Sequence, residues 1–160
     1  MFIKFLSKIN PLNWFSASVI KSSNTEASAS SIAKISERGW QAFISTQLPG
    51  WGYSQVEKIL FDNTRCDLYY TKTPAYPKGL SVEIDWLYKM YEGVGQAKHY
   101  SGIMDSEAGL ILLVENKDED SHLIRRSKIL CKRNKIFLFL FDVKTMSFFD
   151  SDPEPQWKGN

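Results

Sequence analysis

Two uninterrupted apolar segments in the second half of the chain constrain its fold most strongly. Residues 108–115 read AGLILLVE, and residues 136–142 read IFLFLFD. A segment that is apolar at every position is typical of a strand buried on both faces, as in a parallel sheet covered by helices. The charged segment 120–134 between them has the length of a crossover helix. The sequence therefore predicts a βαβ unit and an α/β fold.

The sequence before these segments predicts three further strands and two helices. We predict a helix over 32–47, strands over 53–62 and 65–71 joined by an Asp-Asn-Thr turn, a strand over 80–86 and a helix over 87–101. Together with the βαβ unit, this order is an αβββαβ core followed by an additional αβ unit. We therefore expect a central mixed sheet flanked by helices.

The length of 160 residues, 43% of them apolar, fits a single domain with extensions. We assign residues 1–30 to an N-terminal arm and linker, because the segment KSSNTEASASS at 21–31 is small and polar. Residues 31–145 form the predicted domain. Residues 146–160 are predicted to be a flexible tail, because the final segment DSDPEPQWKGN has little to bury.

The first twenty residues are apolar, but Lys4, Lys8 and Pro11 interrupt their apolar runs. None of these runs approaches the ~20 apolar residues of a transmembrane helix. We expect the arm to pack on its own domain or on a second copy, as in a homodimer. Membrane contact through residues 1–20 and export are less favoured alternatives, and either would make the arm the functional part of the chain.

The chain has two cysteines, Cys66 and Cys131. They lie in a predicted strand and a predicted helix, and neither belongs to a Cys-x-x-Cys motif. This pattern favours a reducing compartment, and we expect the protein to be cytoplasmic.

Acidic residues gather on the predicted strands. In the strand over 80–86, Val82 and Ile84 alternate with Glu83 and Asp85, so we expect the apolar pair to face the core and the acidic pair to face the other side. Asp67 lies on the neighbouring predicted strand. Three carboxylates close together repel one another unless protons or a divalent cation neutralise them. Because hard cations prefer carboxylate oxygens, this pattern predicts bound Mg²⁺ or Mn²⁺; strand-edge and helix-capping roles are the ordinary alternatives.

Four polar residues of the following helix lie on one stripe. Lys89, Glu92, Gln96 and Tyr100 are spaced by three, four and four positions. Apolar and small residues recur on a neighbouring face, so the polar stripe is expected to border a cleft. The alternatives are a surface ion pair between Lys89 and Glu92 and a buried hydrogen-bonded pair of Gln96 and Tyr100.

These motifs resemble those of a known superfamily. The order of predicted elements, with R-C-D at 65–67, V-E-I-D-W at 82–86, Lys89 and a Q-x-x-x-Y element at 96–100, resembles the PD-(D/E)xK nuclease superfamily and its RecB-like branch. The string EIDWLYKMYEGVGQAKHY is similar to small uncharacterised bacterial restriction-endonuclease-like proteins. The resemblance covers about residues 36–115 and implies a restriction-endonuclease-like core.

The resemblance implies a metal site and a catalytic centre. It assigns Asp67 and Glu83 to the two metal-binding acids, and it suggests Glu37 and Asp85 as further acidic ligands. Gln96 and Tyr100 match the Q-x-x-x-Y element, which in the family lies beside the active site. The implied cofactor is Mg²⁺ or Mn²⁺, which activates a water molecule for hydrolysis of phosphodiester bonds.

The chain departs from the superfamily motif at the lysine of E-x-K. That position is Asp85, and the resemblance assigns the lysine's role to Lys89 on the following helix. If Lys89 fulfils it, we expect a metal-dependent nuclease that acts on DNA rather than RNA. If it does not, the alternative is a catalytically inactive nuclease-fold module that binds nucleic acid or a partner protein.

A basic segment lies outside these motifs. Between residues 117 and 135 there are seven basic and three acidic residues. We predict a nucleic-acid-binding surface on this helix, formed by Arg125, Arg126, Lys128 and Lys132. The equal alternative is a solvated helix face whose charges follow the helix dipole.

Overall fold

The computed structural model describes residues 37–46, 54–74 and 76–149. Its three α-helices are α1 (Glu37–Ser45), α2 (Met90–Met104) and α3 (Ser121–Asn134), and a 3₁₀ turn (Leu87–Lys89) leads directly into α2. Its strands are β1 (Ser54–Ile59), β2 (Arg65–Tyr70), β3 (Leu80–Trp86), β4 (Glu107–Val114), β5 (Ile136–Asp142) and β6 (Ser147–Phe149).

The six strands form one sheet in the order β1-β2-β3-β4-β5-β6. The first three strands pair antiparallel, β3, β4 and β5 pair parallel, and β6 returns antiparallel to β5. The fold is therefore α/β with a six-stranded mixed sheet flanked by helices. The predicted βαβ unit is confirmed, because α3 connects the parallel strands β4 and β5.

The core lies on both faces of the sheet. On one face, Leu110, Leu112 and Val114 of β4 pack in one cluster with Met90 and Val94 of α2 and with residues of α3. On the other face, ring contacts join α1 to β5: Phe141 meets Trp40 with ring centroids 5.9 Å apart and Phe43 with centroids 6.1 Å apart. Every residue of β4 from Ala108 to Val114 is buried, as the continuous apolar run predicts.

The bounds of two strands match the sequence prediction, and those of others differ. Strands β3 and β5 occupy exactly the predicted ranges. Strand β1 ends at Ile59 rather than at residue 62, because the side chain of Asp62 accepts hydrogen bonds from Thr64 and holds a turn. Helix α2 continues to Met104, three residues beyond the predicted end.

The predicted start of the tail at residue 146 is wrong, because residues 147–149 form β6. Phe148 packs against Phe141 with ring centroids 5.1 Å apart, and the ammonium of Lys117 lies 4.1 Å from the ring centroid of Phe149. These contacts bury apolar surface that was expected to be exposed. Residues 1–30, assigned to the arm and linker, and the tail from residue 150 lie outside the described residues. Among the described helices, none is long and apolar enough to cross a membrane.

Two glycines provide a matched test of this packing. A Cβ added at Gly109 of β4 would lie 2.9 Å from Cγ2 of Val82, whereas one added at Gly102 of α2 would meet nothing within 4 Å. We expect Gly109→Ala to lower the free energy of unfolding by about 1–3 kcal/mol through overpacking. Gly102→Ala should raise it by up to about 1 kcal/mol, because alanine favours the helix. Urea unfolding measures both, and equal effects would contradict the close β3–β4 packing.

Candidate functional site

Asp67 joins two strands and a helix through its carboxylate. The residue is only 7% exposed. Its Oδ2 accepts the backbone N–H of Ile84 on β3 (2.8 Å), and its Oδ1 accepts Nε2 of Gln41 on α1 (2.7 Å). Backbone pairing between β2 and β3 runs from Tyr70 to Leu68. Just beyond this paired segment, the side chain of Asp67 takes the place of a backbone partner for β3. This carboxylate therefore fixes the point where the two strands separate.

Glu83 lies on β3 within a strand buried on both faces. The sequence predicted that Val82 and Ile84 face the core and that Glu83 and Asp85 face the other side. The alternation is present, but Glu83 is only 5% exposed, because helix α2 covers its face of the sheet. Gly93 of α2 allows this close approach to the sheet, since a Cβ there would lie 2.8 Å from Cδ1 of Leu110 on β4. The second acid is therefore as buried as the first.

A cleft of about 310 Å³ opens beside Glu83. Its polar lining is formed by Glu83, Asp85, Lys89, Glu92 and Gln96. Trp40, Ile84, Trp86 and Leu113 complete its walls. The structure thus brings together both predicted acids of β3 and three of the four residues of the predicted helical stripe.

The cleft-facing polar groups are positioned by the junction of strand and helix. Asp85 is half-buried, and its Oδ1 accepts the backbone N–H of Trp86 (2.8 Å). Lys89 is exposed and ends the 3₁₀ turn, which returns the chain to the same cleft. Neither alternative for the stripe is seen: within the described residues no ion pair joins Lys89 to Glu92, and no hydrogen bond joins Gln96 to Tyr100.

Tyr100, the fourth residue of the stripe, lies apart from the cleft lining. It is buried in a cluster with Leu60 and Cys66. Burial raises the pKa of its phenol well above the usual range, and the charges of Glu83 and then Asp67 raise that pKa further. The phenol is therefore a neutral group close to both acids.

The charges of the same two acids also act on the thiol of Cys66. Burial, with smaller contributions from Asp67 and Glu83, raises the pKa of this thiol to about 12. Its Sγ donates to the backbone carbonyl of Leu68 (3.0 Å). Asp67 and Glu83 thus share a buried region with two groups that stay protonated.

Gln41 is a site residue that sequence reasoning missed. Its Nε2 must face Asp67, because an amide oxygen there would repel the carboxylate. Its Oε1 is buried and has no hydrogen-bond partner within the described parts of the chain. A polar residue between the buried Trp40 and Ile44 was the available sequence signal. The sequence pointed instead to Glu37, which begins α1 one helical turn earlier and whose side chain lies outside the described part of the structure.

The donor set suits a hard cation in its chemistry. Asp67 and Glu83 supply carboxylate oxygens, and Gln41 supplies a buried amide oxygen, which are ligands that Mg²⁺ and Mn²⁺ accept. In the described residues, no group of three or more histidine, cysteine, aspartate or glutamate side chains is arranged to hold a metal ion. The metal assignment of Asp67, Glu83, Glu37 and Asp85 therefore stays a prediction.

The basic residues of α3 lie outside the cleft. Arg125, Arg126 and Lys132 are exposed and Lys128 is half-buried, and none of the four lines the described cleft. Arg126 contacts helix α2, with its guanidinium carbon 5.5 Å from the ring centroid of Tyr91. Lys117, in contrast, is held by an ion pair with Asp142 (2.8 Å). Arg126 is therefore the predicted nucleic-acid residue that the structure joins to the site helix.

Comparisons of the chain with protein-family models, with curated proteins and with solved structures found no significant match. The α/β fold with a six-stranded mixed sheet is the level of classification that the structure itself gives. The functional interpretation therefore depends on the geometry described above and on the resemblance of the motifs.

The raised pKa of Cys66 predicts a loss of stability at alkaline pH. The thiol stays protonated in the folded protein until about pH 12, whereas in the unfolded chain it ionises near its ordinary pKa of 9.0. The unfolded state therefore releases a proton first, and the free energy of unfolding falls as pH rises from about 9 to about 12. We expect Cys66→Ala to make this pH dependence shallower. Urea unfolding at several pH values from 8 to 11 measures it, and an unchanged slope would contradict the burial of the thiol beside the acids.

Proposed function

We propose that this protein is a divalent-metal-dependent nuclease with a restriction-endonuclease-like core that hydrolyses phosphodiester bonds in DNA. The observation that carries the proposal is the pair of buried acids on neighbouring strands, Asp67 and Glu83, of which Glu83 lines a cleft that also contains Lys89 and Gln96. The order α1, β1, β2, β3, α2, β4, with β3 and β4 parallel, supports the finer assignment of the fold.

Asp67 and Glu83 would hold the cation, with Gln41 as a neutral oxygen beside them and Glu37 and Asp85 as further candidates. When bound, the ion neutralises the carboxylates, polarises a phosphoryl oxygen and lowers the pKa of a water molecule. Gln41 and the N–H of Ile84 are positioning groups, because they fix both oxygens of Asp67. Tyr100 is a buried, protonated group whose pKa is raised by burial and by the charges of Glu83 and Asp67.

Lys89 supplies the positive charge that the strand position lacks. Asp85, where the motif has lysine, and Lys89 line the same cleft. An ammonium at Lys89 attracts a phosphate into the cleft and stabilises charge that develops on its oxygens. The turn over 87–89 makes this arrangement possible, because it follows β3 without an intervening loop.

A catalytically inactive module that binds nucleic acid or a partner protein is the second candidate. The observation that favours it is Asp85, which places a third carboxylate beside Glu83 and Lys89 in the cleft instead of a second lysine. This module would bind oligonucleotides or a partner without turnover.

The acids are tested by cleavage of plasmid DNA and of labelled oligonucleotides in Mg²⁺ or Mn²⁺. We expect Glu83→Gln and Asp67→Asn each to lower the rate by a factor of about 10² or more, since each removes a charged ligand while preserving volume. EDTA should abolish cleavage.

Glu119→Gln is the matched control, because Glu119 is exposed and lies outside the cleft lining. It should cut like the wild type. No cleavage of any DNA or RNA form by the wild type, or full activity of Glu83→Gln, would refute the nuclease proposal.

The displaced lysine is tested by moving it back. Lys89→Ala should lower the cleavage rate about 10²- to 10³-fold, the usual effect of removing one preorganised charge-stabilising group. Adding Asp85→Lys to Lys89→Ala should restore part of the rate, because both positions line one cleft. Lys98→Ala, at an exposed lysine of α2, is the control. Wild-type cleavage by Lys89→Ala would remove Lys89 from the mechanism.

A further inference from the structure

Three aromatic residues lie at the end of β3 and the start of the following helix, and we call them the aromatic platform: Trp86, Tyr88 and Tyr91. Trp86 lines the cleft and lies nearly parallel to Tyr88, with an angle of 12° between the ring planes and 6.4 Å between the centroids. Tyr88 is 67% exposed and Tyr91 is 54% exposed. The platform therefore continues from the wall of the cleft onto the open surface.

The local fold explains why these rings face outward. Leu87 and Met90, their neighbours in the chain, are buried and belong to the core cluster. Tyr88 and Tyr91 are three positions apart, a spacing that puts both on one side of a helical turn. Since the core is already filled by their neighbours, the two tyrosines contribute little to folding and leave aromatic surface available for a ligand.

Positive charge accompanies the rings. The guanidinium of Arg126 lies over the ring of Tyr91, and Lys89 lies next to Tyr88 in the chain and is exposed at the cleft. Stacking faces interleaved with arginine and lysine are the combination that binds single-stranded nucleic acid, whose bases present π-faces and whose backbone is anionic. A duplex offers only the backbone charge here, because its bases are stacked on one another.

We propose that the aromatic platform binds unpaired bases of a single-stranded nucleic acid and leads the strand to the cleft. The claim that the substrate is a single strand or a frayed end rests on the proposed nuclease function. The claim that the platform binds a single strand is independent of that function, because Trp86 belongs to both the platform and the cleft wall whether or not the bound strand is cut.

Binding is measured with the full-length Glu83→Gln variant in EDTA, so that no strand is cut. Fluorescence anisotropy compares a labelled oligothymidylate, a base-free strand of equal length and a duplex. We expect the oligothymidylate to bind at least about tenfold more tightly than the base-free strand, the scale of one base–aromatic stack. Equal affinities for the two strands, preference for the duplex, or no binding, as for a surface that recognises a partner protein, would overturn the proposal.

Substitutions at Tyr88 separate stacking from charge. Tyr88→Ala should weaken oligothymidylate binding about 5- to 150-fold, and Tyr88→Phe, which keeps the ring, should bind within about twofold of the parent. Arg126→Gln should instead make the salt dependence shallower, by about 0.7 in the slope of log affinity against log salt. Phe61→Ala is the control, because Phe61 is 93% exposed and lies in the turn after β1. Unchanged binding by Tyr88→Ala would refute stacking.

A charge pair at Gly95 tests the location without removing any ring. Gly95 follows Tyr91 by one helical turn, and a Cβ added there meets nothing within 4 Å. Gly95→Lys should tighten binding and Gly95→Glu should weaken it, with smaller changes for the same substitutions at Gly102, two turns further along α2. Equal effects at the two positions would overturn the proposed location.

The two proposals can fail separately. If Glu83→Gln loses cleavage while Tyr88→Ala binds normally, only the aromatic platform is refuted. If binding depends on the ring but no cleavage occurs, only the nuclease proposal is refuted.

Discussion

The rest of the site depends on the hydrogen bonds that the carboxylate of Asp67 accepts. It is buried, and both of its oxygens accept hydrogen bonds, one from the backbone of β3 and one from Gln41 of α1. A buried charge of this kind is tolerated only where such donors are fixed around it. The bonds hold the helix of one face against the point where β2 and β3 separate, so the position of the acid and the architecture of the sheet are set together.

A single physical cause then organises the surroundings of the acids. Burial, to which the charges of Glu83 and Asp67 add, raises the pKa values of Tyr100 and Cys66, so both groups stay protonated. The two acids therefore lie among groups that stay protonated, whereas Lys89 of the cleft lining is exposed.

The sequence predicted the parts of the fold that local pattern determines. The range of β5 matches the prediction because a continuous apolar run has few alternatives, and that of β3 matches because apolar and acidic residues alternate along it. The stripe of α2 was located because helical spacing is fixed. Features that depend on distant contacts were missed. Strand β6 is held by ring contacts of Phe148 with Phe139 and Phe141. Gln41 reaches Asp67 because α1 packs on the opposite face of the sheet from α2.

The charge of the cleft explains why a metal and an aromatic surface belong to the same hypothesis. Among the described residues, the acids Glu83, Asp85 and Glu92 line the cleft with Lys89, so an anionic phosphate entering it meets net repulsion from their ionised forms. A lysine at position 85, as in the superfamily motif, would offset part of the negative charge of the cleft, whereas Asp85 adds to it. Besides Lys89, two sources of attraction are available: the cation that we propose for the buried acids, and stacking of bases on the aromatic platform, which does not depend on charge. A strand recognised by its bases can be brought to an acidic cleft that its phosphates alone would avoid, and this makes an unpaired strand a better ligand for this site than a duplex.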